Sequence, residues 1–227
     1  MVTIFTPPRF LGTKLLIDRW QVKGRLAGWL VADAAQSAEL RVQQILELAI
    51  ASWRARGFDS YDSSENSLTV RLYSHCTDAL RSSANFSLFQ VSWEAPQPTS
   101  EILEGLAAPA TSARPDMYFS VGDRKLQVEA KRLDGTAHLY REYVREGMKR
   151  FWESRYVSDP GLMLAYLSGP SHDDAHAGIN AAVVRAHTPT PADNRCLRDL
   201  TMLAGDLSKA VSSYPTSRIL WHYAVGL

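Results

Sequence analysis

The chain has 227 residues, 45% of them hydrophobic, and 25 basic against 24 acidic side chains give a formal net charge of +1. That is enough apolar material for a real core, which excludes a disordered chain, and the near-zero charge excludes a global basic field, so any phosphate contact must come from local clusters. Two cysteines, Cys76 and Cys196, make neither a disulfide framework nor a cysteine zinc site, and no run approaches the roughly 18 apolar residues of a membrane span. The opening residues carry no basic n-region and no long apolar core, so no signal peptide is expected and a cytoplasmic protein is the expectation.

Residues 1–34 read as a small extension. Phe10–Ile17 and Trp20–Val31 fit a short strand pair broken at Gly24 and Gly28, and Pro7-Pro8 argues against helix at the start. Residues 35–56 read as a helix, in which Leu40, Ile45, Leu48 and Trp53, with Val42, Leu46, Ala49 and Ile50, form a broad apolar face that Gly57 ends. Asp62-Ser63-Ser64-Glu65 opens a second helix running to about Ser82, with Leu68, Leu72, Tyr73, Cys76 and Leu80 inward. Glu65 lies three and seven residues before Leu68 and Leu72 and so shares the buried side, although Asp62 and Glu65 also have capping-box spacing. Phe86–Trp93 reads as a strand, and Pro96, Pro98 and Pro109 mark an irregular connection with a short helix around Glu101–Leu106.

The next stretch is the most informative. Met117–Val121 is rich in aromatic and branched residues; in Leu126–Leu133, Leu126, Val128 and Ala130 alternate with Gln127, Glu129 and Lys131. Gly122-Asp123 between them suits a two-residue hairpin loop. Pairing Val121 with Arg124 then sets Asp116 opposite Glu129, with Lys131 projecting from the same face. Two facing carboxylates repel unless something positive lies between them, and an oxygen-rich site of this kind suits a hard divalent cation.

A helix is expected over roughly Leu139–Glu153, carrying Tyr140, Arg141, Tyr143, Arg145, Lys149, Arg150, Phe151 and Trp152. Gly161–Ser168 is a near-continuous apolar run, as in a central strand covered on both faces, reached by a parallel crossover. Residues 172–186 read as helix, Thr188–Asp193 as a loop, Cys196–Ser212 as another helix, and Arg218–Val225 as a last strand. His172 and His176 share a helix face and form a rival metal pair, but no further His or Cys lies at a convincing spacing.

Pro115-Asp116, followed on the next strand by Glu129-Ala130-Lys131, resembles the PD-(D/E)xK signature of the restriction-endonuclease-like nuclease superfamily. The resemblance covers about residues 60–170 and implies an α/β fold with an αβββαβ core. In that reading a mixed central sheet is flanked by helices, 1–57 is an N-terminal extension and helix packed on the core, and 58–227 is the nuclease domain. It implies Asp116 and Glu129 as metal ligands joined by Glu65, Lys131 as the catalytic cation, and Mg²⁺ as cofactor with Mn²⁺ able to substitute. The basic and aromatic helix after the signature resembles one that lines the nucleic-acid groove, which marks Lys149, Arg150, Arg141 and Tyr140 as candidate contacts. The Gln-x-x-x-Tyr pattern that some relatives carry there is missing.

The activity implied is metal-dependent hydrolysis of phosphodiester bonds, with DNA as partner and restriction or anti-phage defence as setting. Cutting both strands requires two sites and hence a homodimer. The alternative is a catalytically silent nucleic-acid- or protein-binding module of a multi-component complex on the same fold.

Overall fold

A computed structural model describes residues 28–94, 114–122, 124–153, 155–156, 158, 160–187, 195–204, 206–213 and 219–227, with side chains from residue 38 onward. The strand expected at Phe10–Ile17, most of that at Trp20–Val31, the helix around Glu101–Leu106 and the Thr188–Asp193 loop lie outside these residues. The elements in chain order are α1 (Gly28–Arg54), α2 (Glu65–Ser82), β1 (Phe89–Trp93), β2 (Met117–Val121), β3 (Arg124–Leu133), α3, β4 (Gly161–Leu167), α4 (His172–Ala186), β5 (Arg198–Met202), β6 (Leu207–Ser213) and β7 (Ile219–Gly226). Helix α3 is built of an α-helical start Ala137–Glu142, a π-helical segment Tyr143–Met148 and a last turn Lys149–Trp152.

The strands form one seven-stranded mixed sheet in the order β1-β2-β3-β4-β7-β6-β5. Strands β3, β4 and β7 run parallel, and antiparallel pairs extend the sheet on both sides. The hairpin turns where the sequence places it, with Val121 opposite Arg124 and Gly122 at φ +56°. Strand β4 is buried at every position because it is central and covered on both faces. This is an α/β fold with helices on both sides of a mixed sheet.

Strand alternation divides the core into two layers. Phe119, Leu126, Val128, Ala130, Leu164 and Tyr223 meet α1 and α2 on one side. Leu133, Met163, Ala165 and Leu220 meet α3 and α4 on the other. In the first layer Trp53 is fully buried, donates its indole N–H to the Asp59 carbonyl at 2.8 Å and packs edge-on against Phe58 and Tyr166. In the second, α3 comes so close to the sheet that a Cβ on Gly161 would lie 2.3 Å from the Phe151 ring. Gly161→Ala is therefore expected to cost roughly 2 kcal/mol by overpacking, read as a lower urea midpoint. An unchanged midpoint would show that Phe151 has room to move.

Three expectations are corrected. Gly28–Val31 is the start of α1, not strand, because the Ala-rich stretch behind it propagates helix toward the N-terminus. Leu40 and Leu48 are 54% and 46% exposed, since the buried stripe of α1 runs along Ala38, Val42, Ile45, Ala49 and Trp53 instead. Cys196–Ser212 is a β5–β6 hairpin rather than a helix, turning at Asp206 with φ +61°. Among the described residues no helix is long and apolar enough to cross a membrane.

Candidate active site

Strand β3 has ten residues and β2 has five, so their ladder ends at Met117 opposite Val128. Beyond that point β3 pairs only with β4, and its amides on the β2 side need other acceptors. Two carboxylates supply them. Asp116, just before β2, accepts from the Ala130 N–H through Oδ2 at 2.7 Å, and Glu65, the first residue of α2, accepts from the Arg132 N–H through Oε2 at 3.1 Å. Ser64 caps α2 through the Ser67 N–H, and Asp62 accepts from the Ser64 N–H, which fixes where Glu65 starts the helix. The capping residue is thus Ser64 rather than Asp62, and it leaves the Glu65 side chain to the sheet.

Glu129 projects from β3 toward α3, opposite to Val128 and Ala130, and strand alternation sets Lys131 on the same side as Glu129. Glu129 is fully buried; its Cγ would lie 3.7 Å from a Cβ on Gly147 of α3. Lys131 Nζ donates to Glu65 Oε1 at 2.8 Å and lies 3.1 Å from Glu129 Oε1. The other Glu129 oxygen, Oε2, is reached by Arg150 Nη1 at 2.6 Å and by the Tyr156 hydroxyl at 2.9 Å. That hydroxyl also lies 3.0 Å from the Arg114 carbonyl, so its single proton serves one acceptor at a time, and it accepts from Arg150 Nη1 at 3.0 Å.

The electrostatics follow from this crowding. Burial, and then the nearby Glu129 charge, push the Asp116 carboxyl up to about 7 against the opposing pull of the Ala130 N–H and Lys131. For Lys131, burial works against the charged form, but Glu129 and Glu65 outweigh it and raise its pKa. Arg150 behaves likewise, burial being outweighed chiefly by Glu129. Both cations therefore stay charged.

Lys131 thus lies between Glu129 and Glu65, with Asp116 on the adjacent amide; the hairpin register predicts the placing of Asp116, Glu129 and Lys131, and the resemblance that of Glu65. Arg150, expected at a nucleic-acid groove, turns inward and joins them. Lys149 and Arg141 remain on the exposed surface of α3, Lys149 pairing with Glu153 at 3.3 Å. Tyr140 is a correction: it is buried between α3 and α4, where a Cβ on Gly178 would lie 2.4 Å from its ring, so it has no face to offer a nucleic acid. His172 Nδ1 is 2.7 Å from Ser208 Oγ, and among the described residues no group of three His, Cys, Asp or Glu side chains forms a metal site around the helical histidine pair. Tyr156 carries no sequence signal, because nothing in its spacing links it to Glu129.

The donor chemistry fits a hard divalent cation: three carboxylates bear on one notch, and Glu129 Oε1 is buried with no hydrogen bond aligned on it, its contact with Lys131 being purely electrostatic. Among the described residues, however, no three acidic, His or Cys side chains converge as a ready-made metal cage, since Glu129 is turned to Arg150 and Lys131. No protein-family model, characterised protein or solved structure matches the chain.

Proposed function

We propose that the protein is a metal-dependent phosphodiesterase acting on nucleic acid, DNA in the first instance, on a restriction-endonuclease-like core. The observation that carries this reading is the Lys131 ammonium held between Glu65 and Glu129, with Asp116 on the neighbouring Ala130 amide, where β2 ends and β3 continues. The run α2-β1-β2-β3-α3-β4, with β3 and β4 parallel, has the order of the αβββαβ core and supports the fold half of the reading.

Asp116 and Glu129 would hold the ion, Mg²⁺ or Mn²⁺, with Glu65 beside them. Such an ion, when bound, supplies positive charge against phosphate oxygens and lowers the pKa of water. The remaining work belongs to the chain. Lys131 is only 13% exposed and held by two carboxylates, so its ammonium is fixed in place and charged, suited to stabilise charge that builds on the phosphate rather than to remove a proton. Glu65 orients that ammonium through its 2.8 Å bond. In this reading the exposed Lys149 and Arg141 of α3 would contact backbone phosphates. A cytoplasmic role in restriction or anti-phage defence, with two copies cutting opposite strands, is the setting that goes with this reading.

The second reading is a catalytically silent binding module, favoured by the ion pairs of Glu129 with the protein's own Lys131 and Arg150. Incubation with plasmid, single-stranded DNA and RNA in Mg²⁺ or Mn²⁺ separates the two. Wild type is expected to nick or linearise DNA, and Lys131→Ala to slow cleavage about 100-fold or more. No cleavage by wild type, with nucleic-acid binding retained, would favour the module.

A further inference from the structure

Five ionisable groups share the notch: Asp116, Glu129 and Glu65 against Lys131 and Arg150. With Asp116 ionised they sum to one negative charge, which gives a divalent cation little reason to enter unless one of the protein's cations leaves. The two cations are not equally held. Lys131 is engaged by two carboxylates and is 13% exposed. Arg150 is 28% exposed and meets Glu129 through Nη1 alone, the same nitrogen that serves Tyr156, while its Nε is buried without a hydrogen-bond partner. An arginine built to lock a carboxylate usually presents two parallel N–H groups. This one-nitrogen grip is the arrangement of a cation that can be exchanged.

We propose that Arg150 is a positioning residue that acts as an exchangeable counter-cation. It neutralises Glu129 when no divalent ion is bound, competes with that ion for Glu129 Oε2, and is released toward solvent when the ion binds. This rests on the phosphodiesterase reading, and it adds that affinity for the ion is set from inside by a side chain that touches no ion. Tyr156 helps to hold the latch, because its hydroxyl bridges Arg150 and Glu129.

The test is Mn²⁺ titration of the full chain by calorimetry without nucleic acid, with folding of each variant checked by circular dichroism. Arg150→Met is expected to bind Mn²⁺ at least about 10-fold more tightly than wild type, and Arg150→Lys, which keeps the charge, close to wild type. Tyr156→Phe keeps the arginine but removes the bridging hydroxyl, so it is expected to tighten binding several-fold and serves if Arg150→Met does not fold. Tighter binding in Arg150→Met with loss in Glu129→Gln supports the proposal. Wild-type binding that Glu129→Gln abolishes, with neither Arg150→Met nor Tyr156→Phe tightening it, overturns the latch and leaves the phosphodiesterase reading standing. No Mn²⁺ binding by wild type, Arg150→Met or Tyr156→Phe overturns the latch and removes the metal from the phosphodiesterase reading as well.

Discussion

Glu129→Gln is expected to abolish metal-dependent cleavage, by about 1,000-fold or more, and to lower stability by about 3 kcal/mol. The two losses have one origin. The Glu129 carboxylate is completely buried, yet it faces Lys131 at 3.1 Å and Arg150 at 2.6 Å. Removing its charge leaves two cations beside a neutral amide whose one oxygen can accept a hydrogen bond but offsets neither charge. The cost falls at the lower end for a broken buried pair because both cations retain some solvent and Lys131 keeps Glu65. The urea midpoint and the plasmid nicking rate are the two measurements. A variant that cuts DNA at the wild-type rate removes Glu129 from the chemistry, and one of wild-type stability removes the idea that its charge holds the notch together.

Asp116 governs the second large effect, a stability that falls as pH rises. Its carboxyl sits at about 7 in the fold against an ordinary 3.8, so between those values the folded state keeps a proton that the unfolded chain has lost. Stability contributed by this group is full below about pH 4 and declines by roughly 1.4 kcal/mol per unit through about pH 7. Asp116→Asn keeps an oxygen to accept from the Ala130 N–H and has nothing to titrate. Its stability relative to wild type is therefore expected to improve by about 2 kcal/mol between about pH 5 and about pH 7.5, read from paired urea melts. A constant difference across that range would show that Asp116 is already ionised at pH 5. The same proton competes with a divalent ion, so Mn²⁺ affinity is expected to weaken as pH drops below 7.

The hairpin was legible because two signals agree: a Gly-Asp turn and strict alternation on one flank fix the register that brings Asp116, Glu129 and Lys131 together. The β4 run was legible because only a doubly covered strand is apolar at every position. Residues 196–212 were not. Leu197, Leu200, Leu203 or Ala204, Leu207 and Ala210 or Val211 recur at three- and four-residue steps, which mimics a helix, while Gly205-Asp206 in their midst is the same dipeptide that turns the first hairpin. Tertiary pairing of β6 with β7 overrode the periodicity. Arg150 and Tyr156 were illegible as partners of Glu129 for another reason. They lie 21 and 27 residues away, and the direction in which Arg150 points depends on the π-helical segment ahead of it, where one turn holds more residues than an α-helix. Tyr140 read as a candidate nucleic-acid contact only because a lone sequence does not show that Gly178 opens a slot for its ring.

The unequal lengths of β2 and β3 have a bearing on how this protein can change over time. Because Asp116 and Glu65 close the bare amides of the longer strand, a descendant without the proposed phosphodiesterase activity would still need both oxygens to keep its sheet edge ordered. Lys131 serves the fold differently: its ammonium offsets the charge of two acids and supports no backbone. In a lineage drifting toward inactivity the lysine can vanish only together with the buried Glu129 charge that it offsets, so joint loss of the two is the expected first step.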